Sequence, residues 1–219
     1  MDIQLTPGPR PEKVKIEGRK VVLEPLNAKK HAETLWKVVR GPENDALWRY
    51  LFDGPFADLA EFEASVEKKA ALNDPLFFGI VDRDSGDAVG YASLMRIEPA
   101  HRCIEVGGIL FAPPLQRTVG ATEAMYLMAR HVFEELKYRR YEWKCHSENA
   151  PSRAAALRLG FKFEGIFRQH MIIKGRNRDT AWYSMLDSEW PARKAAFESW
   201  LDPANFDAAG RQRTALARP

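Results

Sequence analysis

The sequence predicts a mixed α/β (α+β) fold, a mostly antiparallel twisted sheet with one parallel crossover pair and helices on both faces. Three observations carry this. Short β-rich runs bounded by Gly, Pro and Asp clusters recur through the chain, most of them joined by tight turns. One helical segment lies between two apolar strands, 103–111 and 141–147, which makes that step a right-handed parallel crossover. The 219 residues are 45% apolar with six Trp, enough for a real core.

Pro7, Pro9 and Pro11 make the start an extended arm. "KVKIEGRKVVLEPL" reads as two short strands around the turn 17–20. Segments 27–40 and 58–72 are helical, and Asn27 and Asp58 stand where N-caps belong. A hairpin follows, 76–84 and 88–99, turning at Asp84-Ser85-Gly86-Asp87. The strand 102–112 is stopped by Pro113 and Pro114. In the next segment Met125, Met128, Ala129, Val132, Phe133 and Leu136 share one face of a helix, predicted over 120–137. "YEWKCHS" alternates Tyr141, Trp143 and Cys145 against Glu142, Lys144 and His146, as a half-buried strand does. Asn149 caps a short helix that tolerates Pro151 in its first turn and closes at Gly160. A last hairpin turns around "GRNR", 175–178, before a helix from about Pro191 to Trp200. No repeat or linker divides the chain. It reads as one domain, 14–202, between the arm 1–13 and a C-terminal tail 203–219.

Thirty-three Lys and Arg against 30 Asp and Glu leave a net charge of +3, too balanced for a dedicated nucleic-acid binder. Basic residues cluster at 167–178 and 210–219. Such runs are usually solvated surface, and their alternative use is attraction of an anionic ligand. Two distant cysteines form no disulfide framework. The longest apolar run is half a membrane span, and "MDIQLTPGPR" has no apolar signal region. A soluble cytoplasmic protein without membrane or nucleic-acid partners is expected. Cys103 and Cys145 with His101 and His146 match no metal-ligand spacing, and Cys145 and His146 point to opposite strand faces, so no metal is expected. Trp36, Trp48, Tyr50 and Phe52 could line an acceptor pocket, but at that density they read first as core.

Ligands of such sheets lie where neighbouring strands diverge, beyond their carboxyl ends. Phe111, Ser147, Asn149 and the start of the 120–137 helix should meet there. A helix N-terminus offers unpaired N–H groups and partial positive charge, which suits an anion. "QRTVGA" leads into that end, and neither a P-loop nor a GxGxxG motif occurs anywhere.

The strand "CIEVGGILFAP", the turn and helix "LQRTVGATEAMYLMARHVFEEL", the segment "NAPSRAAALRLGFKFEGIFRQ" and the close "DTAWYSML" resemble the GNAT acyltransferase superfamily. They are most similar to its Rim-type branch of ribosomal-protein N-terminal acetyltransferases, over about residues 14–190. The resemblance implies the GNAT fold with acetyl-coenzyme A (acetyl-CoA) in the divergent-strand cleft. It implies that the pantetheine arm runs along Ile109, Leu110 and Phe111. The pyrophosphate would lie on Gln116, Arg117, Thr118, Val119, Gly120, Ala121 and Thr122, and Asn149, Ser152 and Arg153 would complete the binding set. The chain departs from the family turn "Q/R-x-x-G-x-G/A" at Val119, which replaces the first glycine. A β-branched residue at positive φ is strained, so Val119 is expected at negative φ with Gly120 taking any unusual conformation.

The implied chemistry is attack of a neutral primary amine, a protein N-terminal α-amine or a small-molecule amine, on the thioester. Glu105, the one carboxylate within the strand 103–111, is the candidate base, expected on the face of Gly107 and Ile109. Its bland alternative is an ion pair with Arg102 or Lys144. Many GNAT enzymes place a Tyr four residues before "GF", but this chain has Ala156 there. Ser152 is then the candidate donor to the leaving thiolate, and Asn149 would hold the pantetheine or acetyl carbonyl besides capping its helix. Two alternatives stay open: a catalytically degenerate GNAT module that binds coenzyme A or a partner, and a nucleic-acid or ribosome-associated protein using 168–178. The sequence also leaves a homodimer open.

Overall fold

All eight strands join one sheet in the order β1-β2-β3-β4-β5-β6-β8-β7 in the computed structural model, which describes residues 6–217. Residues 1–5 of the predicted arm and 218–219 of the predicted tail lie outside the described residues. The strands are β1 (Ile16–Glu17), β2 (Val21–Pro25), β3 (Leu76–Asp82), β4 (Ala88–Glu98), β5 (Cys103–Phe111), β6 (Arg140–His146), β7 (Lys162–Ile173) and β8 (Arg176–Leu186). The helices are α1 (Ala28–Val39), α2 (Leu59–Ala71), α3 (Val119–Arg130), α4 (Ala150–Leu159) and α5 (Trp190–Leu201). Only β5 and β6 pair in parallel, as the crossover through α3 requires.

Local chemistry sets these elements. Asn27 Oδ1 accepts the Lys30 N–H at 3.1 Å and Asp58 Oδ1 the Glu61 N–H at 2.9 Å, so each helix begins where its cap stands. Gly160 ends α4 in the left-handed region, φ 97°. The β7–β8 turn is tighter than expected. Lys174 and Gly175 alone form it, both at positive φ, and Arg176 already pairs with Ile173. Two residues of that conformation match the twist of the flanking strands.

Helices α3, α4 and α5 cover one face of the sheet, while α1 and α2 cover the β2–β4 end of the other. Helix α3 is buried on all sides from Gly120 to Ala129, more than its one-faced pattern implies, because α5 packs Trp190 and Phe197 against Tyr126. It also stops short of 137. At His131–Glu135 the turn widens, with the Leu136 N–H donating to His131 O at 3.0 Å. The wider turn keeps Val132, Phe133 and Leu136 all buried. The Glu123 carboxylate, in α3, accepts the backbone N–H groups of Arg19, Lys20 and Val21 at 2.9, 2.6 and 2.9 Å, tying the β1–β2 turn to this helix.

β5 carries a bulge. Gly107 pairs with Ser93 but Leu110 with Tyr91, so one extra residue sits in β5, and Gly108 takes φ 56°. The Ser93 hydroxyl fixes it by donating to Gly107 O at 2.9 Å. The bulge reverses the alternation of faces. Glu105 shares a face with Gly107 as expected but not with Ile109, which packs with Phe111 against the α3–α5 core, while Leu110 enters the α1–α2 core. It also bends β5 away from β6. Their pairing runs only from Cys103–Arg140 to Val106–Trp143.

Candidate active site

Beyond Val106 and Trp143 the two strands separate, and a cleft of about 1140 Å³ opens on the α3–α5 face. Phe111, Trp143, Met125 and Ala155 line its inner part, and the first turn of α3 forms one wall. Thr118 caps that helix, its Oγ1 accepting the Ala121 N–H at 3.1 Å. Val119 is the first helical residue and has no positive φ, as expected. Gly120 does not take the unusual conformation. Arg117 does, at φ 62°, because the cap falls at Thr118 and Gly120 is already helical. Gly120 serves close packing instead: a Cβ there would lie 2.9 Å from Val21 Cγ1.

Arg117, Thr118, Val119, Gly120, Ala121 and Thr122 all line the cleft. First-turn amides of a helix have no carbonyl one turn earlier, so this wall presents donors to an anion. The Gln116 side chain is turned back, its amide donating to Phe111 O at 2.8 Å. Arg153 faces β8 and the end of β6, donating to the Tyr183 hydroxyl at 3.0 Å and to Ser147 O at 3.1 Å.

Asn149 and Ser152 stand behind the lining residue Trp143 rather than in the cleft wall itself; Asn149 Oδ1 accepts the Ser152 N–H at 3.1 Å, the expected cap. Trp143 Nε1 donates to Ser152 Oγ at 3.0 Å. A hydroxyl that accepts on one side keeps its own proton to donate elsewhere. The Cys145 thiol lies beside it, and burial pushes this thiol up while the Ser152 hydrogen bond pulls it down.

Glu105 lies on the opposite face of the sheet, 4% exposed. Its carboxylate pairs with Lys144 Nζ at 2.9 Å and Arg96 at 3.3 Å. Arg102, the other partner expected for it, instead reaches the carbonyls of Thr6 and Lys137. Burial raises the Glu105 carboxyl above its ordinary range, against the pull of Lys144 and Arg96. Lys144 also pairs with Glu142 at 2.6 Å and sits 3.8 Å above the Trp182 ring. For Glu142, burial is outweighed by Lys144 and Arg140, and its carboxyl is held low. On the polar side of β6 the charged ends of Glu142 and Lys144 are sunk because they neutralise one another, while Arg140 and His146 stay partly exposed, so the strand keeps the alternation expected of it.

That second face is bordered by aromatic and basic residues. Trp48 belongs to the α1–α2 core and Trp36 packs against it, but Tyr50 lies 5.2 Å from His146 with the rings tilted at 53° and donates its hydroxyl to Glu148 O at 3.3 Å. Phe52, half exposed, lies under the Arg178 guanidinium at 5.6 Å. Lys174, from the basic run 167–178, donates to the carbonyls of Trp48, Asp53 and Gly54 at 2.8, 2.8 and 2.7 Å. It clips the β7–β8 hairpin to the loop after α1.

Sequence reasoning did not single out Lys20, Arg158, Trp200 or the tail residues Gly210–Gln212 as part of the cleft, yet all line it. Arg158 had a usable signal, since it stands on the helix of Ser152 two turns farther on. The tail had none beyond its charge. Among the described residues no group of three or more His, Cys, Asp or Glu is arranged to hold a metal ion, and no helix is long and apolar enough to cross a membrane.

A split parallel pair and a donor-lined helix start form the walls of a cleft on the α3–α5 face. The Acetyltransferase (GNAT) domain matches residues 20–162, and the chain belongs to that family. A crystal structure of a GCN5-related N-acetyltransferase from Brucella melitensis is 52% identical and superposes with a TM-score of 0.95, covering 97% of this chain and 96% of that one. The uncharacterized N-acetyltransferase YnaD of Bacillus subtilis (strain 168) is 27% identical over 157 residues, 71% of this chain and 89% of that protein. The ribosomal-protein-serine acetyltransferase of Escherichia coli (strain K12) is 28% identical over 104 residues, 47% of this chain and 58% of that protein. The chain is an N-acetyltransferase of GNAT type with Rim-like relatives.

Proposed function

We propose that the protein transfers an acetyl group from acetyl-CoA to a primary amine, either a protein N-terminal α-amine or a small-molecule amine. The observation that carries this is the pair of candidate groups on opposite faces of the sheet, Ser152 beside the cleft and Glu105 behind it, at the strands that separate. The cleft's residues fit the cosubstrate: first-turn amides, Thr118 and Arg117 suit a diphosphate, and the unpaired side of β5 at 109–111 suits an extended amide-bearing arm. Bound acetyl-CoA would supply the acetyl group as a thioester, whose transfer forms an amide and frees a thiol.

The chain's own residues then divide the proton work. Ser152, held by Trp143, donates a hydrogen bond to the sulfur that leaves as a thiolate, which then takes its proton from water. Asn149 fixes the helix start that carries Ser152. Glu105 receives the amine's proton, directly or through water, and its raised pKa makes it a better acceptor than an exposed carboxylate. The amine approaches from the second face, between the loop at Tyr50–Phe52 and the β7–β8 hairpin. The Rim-like relatives favour an α-amine. A degenerate module that binds without turnover is the competing reading, favoured by the two cations that already neutralise Glu105.

The test is thiol release from acetyl-CoA over a panel of peptides and small amines, paired with a thermal-shift titration. Stabilisation by acetyl-CoA together with acceptor-dependent thiol release supports the enzyme. Stabilisation without release by any amine supports the degenerate module. No shift at millimolar acetyl-CoA removes both.

A further inference from the structure

The cleft holds four cations, Lys20, Arg117, Arg158 and Arg211, and their surroundings differ. Lys20 pairs with Asp84 at 3.3 Å and Arg211 with Asp207 at 2.9 Å. Among the described residues, Arg117 and Arg158 have no carboxylate within ion-pair distance. Arg117 belongs to the entry of α3, already assigned to the diphosphate. Arg158 lies elsewhere, on the last turn of α4. Its Nη1 donates to Thr122 Oγ1 at 3.0 Å, and its guanidinium lies 4.9 Å from the Trp200 ring centre. Burial holds its pKa down with no carboxylate opposing it.

The tail builds the wall behind this arginine. Trp200 Nε1 donates to Gln212 Oε1 at 2.8 Å, Phe206 sets its ring edge-on to Trp200 at 5.2 Å, and Phe206 and Gln212 form a β-bridge. Asn205 Nδ2 ties the loop to Trp200 O and Thr214 O, and Leu216 is buried in the core. These residues fall after residue 162, where the family match ends. A half-buried guanidinium over an indole, beside a hydroxyl and without a counter-ion, is a site prepared for an anion.

Resting on the acetyl-CoA reading above, we infer that Arg158, Thr122 and the Trp200–Gln212 wall form a second anion subsite that takes the phosphomonoester on the ribose of coenzyme A. Coenzyme A carries two separate anionic groups, a diphosphate and this 3′-phosphate, and the cleft has two uncompensated arginines on two different elements to meet them. The planar fork of Arg158 suits a terminal phosphate, with two oxygens open to paired N–H groups.

The experiment measures affinities of coenzyme A and 3′-dephospho-coenzyme A by titration calorimetry for the wild type, R158M, R158K and R117M. The wild type should bind coenzyme A about tenfold or more tightly than the dephospho form, one charge-assisted contact. R158M should reduce that ratio to within about twofold while leaving dephospho affinity nearly unchanged, and R158K should keep part of it. R117M should weaken both ligands alike. Equal affinities in the wild type, or a ratio that survives R158M, overturns the subsite and leaves the acetyl-CoA reading standing. Failure of the wild type to bind either ligand overturns both. The wild-type ratio needs no variant, so the inference stays open to refutation even if R158M does not fold.

Discussion

Trp143 Nε1 donates to Ser152 Oγ across 3.0 Å, so one lone pair of the serine oxygen is occupied from the sheet side. The hydroxyl keeps its own proton, with the Cys145 thiol beside it. A residue on β6 thereby sets the direction of a group on α4.

Ser152→Ala should lower kcat by about 10²-fold with little change in the KM for acetyl-CoA, since the charge it stabilises develops only along the reaction path. Trp143→Phe should lower kcat by a smaller factor, because Ser152 keeps its proton but loses its orientation. Steady-state kinetics of both variants check this. Equal kcat in Ser152→Ala and wild type would assign the hydrogen bond to another donor.

Glu105 titrates above an ordinary carboxylate because it is buried. Its basic form is lost as pH falls through that raised value, so the acid limb of kcat/KM should lie above the usual carboxylate range. Glu105→Gln should matter most between the raised Glu105 value and the amine's own pKa, where the carboxylate is ionised and the amine protonated, and its defect should fade as pH passes that amine pKa, near 8 for an α-amine and about 10.4 for lysine. A defect independent of pH would exclude Glu105 as the base.

Lys144→Met would leave Glu105 and Glu142 buried without their shared cation. Breaking such a buried pair costs about 3–5 kcal/mol. The sign with pH follows. The Glu105 carboxyl, already raised by burial, would rise further with only Arg96 left beside it, while Glu142 keeps Arg140, so the folded state would bind a proton at Glu105 that the unfolded chain does not. The loss should be largest near neutral pH and shrink toward pH about 5, as the Glu105 carboxyl protonates. Urea midpoints of wild type and variant across that range measure it.

At the helix start, Val119→Gly should leave cofactor affinity within a few fold and cost up to about 1 kcal/mol, because Val119 needs no special φ. Gly120→Ala should do more harm despite its better helix propensity, as its Cβ would press on Val21, a fully buried strand residue. Thermal melts with and without acetyl-CoA separate the two effects.

Lys174→Met removes a cation held by three carbonyls and should loosen the β7–β8 hairpin from the loop at 48–54. The expected result is a several-fold higher KM for the amine with an unchanged KM for acetyl-CoA, and faster hydrogen exchange at the hairpin tip.

The sequence carried the element order because local chemistry does the work there. Asn27, Asp58 and Asn149 cap the helices they precede, and Gly160 ends one. The bulge at Gly107–Gly108 was hidden, since a single extra residue leaves the apolar pattern of "CIEVGGILF" readable as a plain strand. That is why Ile109 fell on the wrong face. Arg117 took the positive φ expected of Gly120 because the position of a cap, not the position of a glycine, decides where a helix begins. Arg158 and Gln212 were out of reach for another reason. They meet Trp200 and the cleft only through α5 and the folded tail, contacts that no local spacing encodes.

The separation of β5 from β6 leaves an internal edge in a sheet that is otherwise paired across its middle. Open edges invite partners, and proteins usually hide them at the rim. Here the vacancy lies at the centre, too narrow to recruit another whole strand and flanked by both faces. A slender ligand with amide groups can complete the ladder from inside, and whatever it carries at its tip is then held where the two strands part.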